Sequence, residues 1–214
     1  MVSQDGARRY TSQLRSEQAA ATRERVVDAA SALFAERGYA ATTMPEIARR
    51  AGVSTETVQA NGPKQALLRA AINASTFGGD DDTDARSTEL GARMLAVSSG
   101  AEAVAVCAAV LSGINASVHG LWLSYAEAAR HDEGMAADLR GYAARIREQN
   151  TSMMSVWEAR GYIRQDIPFD AVVDRTVLVG SVELYDRAVR IGGQSVDEYT
   201  ATLEGLLADL VLPR

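Results

Sequence analysis

Cysteine, histidine and proline are scarce: 214 residues hold one Cys, two His and four Pro. A lone thiol, Cys107, excludes an internal disulfide framework and any multi-thiolate metal site. His119 and His131 have no nucleophile motif around them, and no phosphate-binding glycine loop occurs, so no enzyme chemistry is expected and no cofactor is called for. No segment alternates polar and apolar residues with the period of a strand, and helical spacing recurs throughout, which predicts an all-α fold.

Charge is missing where it would be expected. Residues 103–126 contain no Asp, Glu, Lys or Arg, long enough to raise a membrane span. Gly113, Asn115, Ser117, His119, Gly120 and Ser124 interrupt the run, however, and Glu102 and Glu127 flank it where Lys or Arg would anchor a span. Two buried helices with a break between Gly113 and Asn115 are expected, with no membrane contact. Met1 to Tyr10 is polar and no apolar core region follows, so no signal peptide is expected. The compartment expected is the cytoplasm.

The formal net charge of -6 is divided unevenly. Residues 1–76 sum to +3 and residues 77–214 to -9. A basic head on an acidic body suits contact with a polyanion through one end only.

The head is organised around residues 42–59, TTMPEIARRAGVSTETVQ. Thr43 and Glu46 have the spacing of a capping box, with Pro45 in the first turn. Ile47, Ala48 and Ala51 share one helical face, and Gly52 can end the helix in a left-handed conformation. Ser54 caps a second short helix with Val58 on its inner face. Two helices meeting at about 90–120° across a glycine turn form a helix-turn-helix. A preceding helix, expected from Thr22 to about Arg37, carries the stripe Val26, Val27, Ala30, Leu33 and Phe34. After the Gly62-Pro63 break, a helix from Lys64 buries Leu67, Leu68, Ala71 and Ile72.

The expected organisation is a flexible basic arm over residues 1–21, a helix-turn-helix head with its connecting helix, suited to DNA, over 22–76, and a helical domain over 77–214. The arm reads either as a frayed terminus or as a basic segment reaching phosphates or a minor groove. Residues 78–89 read as a solvated linker, their aspartates lacking the glycine and closing glutamate of a calcium loop. Beyond them, helices are expected at about 89–98, 101–113, 116–130, 135–160, 169–191 and 195–211.

From Arg25 to Leu68 the series SALFAERGY, TTMPEIARRAGVS, a threonine-rich second helix, a Lys and a Leu-Leu pair resembles the TetR-type bacterial transcriptional regulators in order and spacing. The resemblance departs at residues 59–63, QANGP. Gln59 stands where the family usually has a tyrosine beside a phosphate, and Asn61-Gly62 where it has a buried aromatic. The second half, RGYIRQDIPFDAVVDRT onward, resembles the C-terminal domain of one subgroup. That likeness implies a homodimer in which helices 135–160 and 169–191 form a four-helix bundle with their twins, and a small-molecule pocket enclosed by the preceding helices.

For base reading, the expected residues are Thr55, Glu56 and Gln59, since Gln can pair with adenine, Glu with the cytosine amine and a Thr methyl with thymine. Thr43, Ser54, Thr57 and Lys64 are the expected phosphate contacts, though the first two serve equally as plain caps. Cys107, Asn115, His119, Trp122, Tyr125, Met153 and Trp157 suit an effector pocket, an apolar lining with a few polar handles; each also suits an ordinary core position. Ile146, Met153, Val173, Val177, Gly180 and Leu184 are the expected dimer contacts. Two functions compete. One is a ligand-responsive dimeric repressor on a near-palindromic double-stranded operator; the other is an all-α dimeric small-molecule-binding protein whose degenerate head binds DNA weakly.

Overall fold

The computed structural model describes residues 4–76 and 83–213, apart from the side chains of residues 4–13. Every regular element among them is helical. The chain divides into two compact units, Met1–Ala71 and Ile72–Arg214. Of the predicted linker, residues 78–82 lie outside the description; the rest is a single 3-10 turn at Ala85–Ser87, capped by Asp84.

In the first unit, α1 (Gln4–Ala41) is one continuous helix until Gly38, whose φ of 80° and ψ of 168° break it. The expected start at Thr22 is corrected. No residue between Ala7 and Thr22 disfavours helix strongly, and the Thr22 hydroxyl donates back to the Gln18 carbonyl at 2.8 Å instead of capping. α2 (Met44–Ala51) and α3 (Thr55–Ala60) follow, then α4 (Lys64–Ala74). Val26, Phe34, Ile47, Val58, Leu67 and Leu68 form the buried centre of this unit.

The second unit contains α5 (Glu89–Leu95), α6 (Gly100–Ala129), α7 (Glu133–Ala159), α8 (Phe169–Val179), α9 (Val182–Tyr185) and α10 (Val196–Val211). The expected break at Gly113 to Asn115 is absent. Helix α6 runs straight through, with an exposed Gly113 and open space beside it. Among the described residues only α6 is long and apolar enough to cross a membrane; here Ala103, Val104, Cys107, Ala108 and Val110 are buried in the unit's own core with Met154, Trp157 and Leu203.

The break falls instead in the expected 169–191 helix. A Cβ on Gly180 would stand 2.9 Å from Leu111 Cδ1, so this position lies tight against α6. At Ser181 the backbone leaves helical geometry (φ -72°, ψ 154°), and the serine hydroxyl caps α9. A π-helical turn, Asp186–Ile191, completes the segment. Asn115, on α6, holds the interruption: its amide donates to the Gly180 carbonyl at 3.1 Å, to Ser181 at 3.4 Å and to the Tyr199 hydroxyl at 3.2 Å.

Asn115→Ala leaves those acceptors without their donor in a buried setting, so a loss of about 1–3 kcal/mol is expected. Urea unfolding followed by circular dichroism measures it, and wild-type stability in the variant would mean that the Asn115 bonds do not matter.

Candidate nucleic-acid interface

Helix α2 is fixed at both ends. The Glu46 carboxylate accepts from the Thr43 N–H at 3.0 Å and from its hydroxyl at 2.8 Å, and these bonds hold it below the usual carboxylate range. At the other end Gly52 sits at φ 68°, ψ 36°, and the Val53 N–H donates to the Ala48 carbonyl. Only glycine takes that conformation without strain, so the turn depends on it.

Helix α3 is six residues long, too short to persist alone. Three contacts hold it: Val58 is fully buried, the Ser54 hydroxyl accepts from the Thr57 N–H at 3.1 Å, and the Asn61 amide donates to the Thr57 carbonyl at 2.8 Å. Asn61 is thus a cap, a role the sequence reading missed. With the inner face pinned, Glu56 and Gln59 are exposed and Thr55 is half-exposed. Glu56 bonds its own backbone N–H and the Ser54 hydroxyl, which lower its pKa and keep it ionised at the start of α3.

Lys64 is drawn inward. Its ammonium donates to the carbonyls of Tyr39 at 2.8 Å and Thr42 at 3.0 Å and lies 4.1 Å from the Tyr39 ring centroid. Partial burial lowers its pKa. Two of its three N–H donors therefore stitch α4 to the turn before α2. Thr42, unremarked in the sequence, is buried beside it and donates to the Leu33 and Gly38 carbonyls. The ion pairs Arg37–Glu46 and Arg50–Glu36, both 2.8 Å, tie α1 to α2 at the surface; exposed pairs of this kind contribute little to stability.

In the second unit the expected pocket residues separate into two groups. Cys107, Met153 and Trp157 are core, and the Trp157 indole donates to the Met94 carbonyl at 3.1 Å. Burial pushes the Cys107 thiol up to about 12. Asn115, His119, Trp122 and Tyr125 form polar contacts along α6. His119 Nε2 lies 2.6 Å from Asp186, the Trp122 indole donates to Glu183 at 2.8 Å, and the Tyr125 hydroxyl donates to Asp138. Trp122 also packs its ring near Tyr125 and Tyr142. The acidic partners were not foreseen, because nothing in one sequence pairs them with α6.

Two expected dimer contacts need correction. Met153 and Val173 are 4% and 0% exposed within their own chain, so they have no surface left for a second subunit. Ile146, Val177, Gly180 and Leu184 are half-buried. The large apolar side chains that do face out in this region are Leu178, Ile191, Val196 and Leu206.

Residues 26–60 match the sequence model of the bacterial regulatory proteins of the tetR family. These residues, the helix-turn-helix region, are similar to that family. Its all-helical fold is similar to that of a Mesorhizobium loti MAFF303099 protein described as a TetR-family transcriptional regulator, at 16% identity over 90% of this chain and 96% of the other, with a TM-score of 0.67. A transcriptional regulator of Saccharomonospora viridis in complex with choline matches at 18% identity over 90% and 98%, with a TM-score of 0.66. The SmeT–triclosan complex matches at 17% over 90% and 92%, with a TM-score of 0.62. No curated protein matches.

Lys64→Met removes two charge-assisted bonds, and a loss of about 1.5–3 kcal/mol is expected. Differential scanning calorimetry measures it, and an unchanged melting temperature would sink the structural role given to Lys64. Cys107, buried and with its pKa raised to about 12, should resist a thiol reagent at neutral pH until denaturant is added. The sign follows from the raised value: any stability that the neutral thiol contributes is intact below the unfolded pKa of about 8.5 and falls as the pH climbs toward 12. Rapid labelling of the native protein would contradict the buried placement.

Proposed function

We propose that this chain is a TetR-family regulator, a ligand-responsive dimeric repressor that binds a near-palindromic operator. The observation that carries the reading is the capped, pinned α3, which turns Thr55, Glu56 and Gln59 away from the core. In a dimer, two such helices enter successive major grooves about 34 Å apart. Thr43, Ser54 and Thr57 stand at the helix starts, where backbone amides and hydroxyls meet phosphates. Lys64 has one remaining ammonium proton for that task.

The dimer face supported by exposure is the α8–α10 segment, with Leu178 at 72% and Ile191 at 64%. Exposed apolar side chains in such numbers suit a symmetric subunit contact. For the effector, two similar structures hold small organic molecules, choline in one and triclosan in the other. In this chain the half-buried His119 and Trp122 on α6 offer an aromatic face and polar handles for such a guest, with Tyr125 and Tyr142 buried behind them. Effector and operator affinities are then linked reciprocally, each acting through its differential affinity for two states.

The competing reading, a small-molecule-binding dimer with a weak head, is favoured by one observation: Gln59 is exposed and Asn61 serves as a cap where the family has aromatic residues.

Binding to the DNA flanking the protein's own gene separates the two. Specific binding is expected, with Gln59→Ala losing about 1–3 kcal/mol of discrimination at one base pair in each half-site. Equal affinity for the flanking DNA and for scrambled duplex would favour the weak-head reading. Leu178→Asp should shift the protein from dimer to monomer in sedimentation, and an unchanged dimer would remove α8 from the interface.

A further inference from the structure

Helix α3 cannot hold its own last turn. With six residues, it leaves the carbonyls of Thr57 to Ala60 without a partner inside the helix, and Gln59 stands one position from the end, where so short a helix frays. Three of those carbonyls are met nonetheless. Thr57 accepts from the Asn61 side-chain amide at 2.8 Å, Val58 from the Asn61 backbone N–H at 3.0 Å and Gln59 from the Gly62 N–H at 3.0 Å. Asn61 supplies two of the three donors.

In a continuing α-helix the Asn61 N–H would bond Thr57, four residues back. Here that N–H bonds Val58, one residue nearer, and the side-chain amide takes the place it leaves. Gly62 follows at φ 120°, which turns the chain away toward α4. Thr57 is thus gripped on both sides, its N–H by the Ser54 hydroxyl at 3.1 Å and its carbonyl by Asn61. Asn61 is in turn approached from another helix: the Arg23 guanidinium, on α1, donates to its carbonyl at 3.5 Å, and Asn61 itself is half-buried. Gln59 therefore sits between two anchors, with Val58 buried beside it.

We propose that Asn61 is a positioning residue for sequence recognition, its amide closing the last turn of α3 so that Gln59 is aimed at one base, without Asn61 itself touching DNA. This rests on the DNA-binding reading above, in which Gln59 reads a base. A bidentate contact requires both atoms of the glutamine amide to meet one base edge together. A frayed last turn spreads the directions of Gln59 and destroys that register. Thr55 and Glu56, in the first turn, keep the Ser54 cap, and phosphate contacts carry no base information. Loss of the Asn61 amide therefore falls on discrimination and spares general affinity.

The test uses the full chain, a labelled duplex from the region flanking its gene and a scrambled duplex of equal length, with fluorescence anisotropy. Asn61→Ala should lower the preference for the flanking duplex about tenfold or more, while its affinity for the scrambled duplex stays within about twofold of wild type. Asn61→Ser, whose hydroxyl can donate to the carbonyl four residues back, should recover most of the preference. In a Gln59→Ala background, Asn61→Ala should cost no further preference, because its effect passes through Gln59. If Asn61→Ala weakens both duplexes alike, or adds its full loss to that of Gln59→Ala, Asn61 is a general support or a contact of its own and the positioning role fails. If Asn61→Ala keeps the wild-type preference that Gln59→Ala loses, the role fails and the DNA-binding reading stands. If the wild type does not distinguish the two duplexes, that reading fails and takes the role of Asn61 with it.

Discussion

Each helix end leaves backbone carbonyls without an intrahelical partner, and a chain of many short helices multiplies the problem. This protein answers it repeatedly with a long polar side chain sent from another element. The Lys64 ammonium serves the Tyr39 and Thr42 carbonyls, and the Asn115 amide serves Gly180 and Ser181. The Arg160 guanidinium reaches Leu95 and Val97 at the end of α5. Arg164, pinned by two bonds to Asp166, reaches Asp209 in the last turn of α10. Such bonds contribute through specificity as much as energy: each fixes which helix end lies beside which side chain, and misplacing either partner strands buried polar groups.

This constraint explains which parts of the fold were legible in the sequence. Local devices could be read because cause and effect sit within a few residues. The Thr43–Glu46 box, the left-handed Gly52 and the Ser54 cap lie where the pattern puts them. Long-range devices could not be read. Lys64 looks in sequence like a surface cation at a helix start, and nothing local reveals that the carbonyls it satisfies lie more than twenty residues earlier. Asn115 is the sharper case. Beside Gly113 it reads as a helix breaker, yet its amide leaves α6 intact and secures a break in a different helix.

The uncharged run of α6 was legible as composition but not as geometry. Its apolar side belongs to the core, while Ser112, Asn115, His119 and Trp122 recur at three- and four-residue spacing and meet Thr200, the Gly180–Ser181 interruption, Asp186 and Glu183. A 24-residue run without a single charge thus carries an ordered polar seam. Apart from Thr200, its partners lie on the stretch where α-helical geometry gives way to a new cap and then a π-helical turn, a feature that recurs at functional sites.

The seam joins two properties that a responsive regulator needs. The segment α6 grips through this seam is the one whose outer side shows Leu178 and Ile191, the face suited to a second subunit. A guest lodged beside His119 and Trp122 would have to displace or share bonds to Asp186 and Glu183, and both carboxylates belong to that segment. Because the segment is already interrupted at Ser181, its two parts can shift relative to each other without breaking a continuous ladder of backbone bonds. Coupling between effector and subunit contact therefore needs no long chain of intermediaries: one row of side chains on α6 touches the place where both would act.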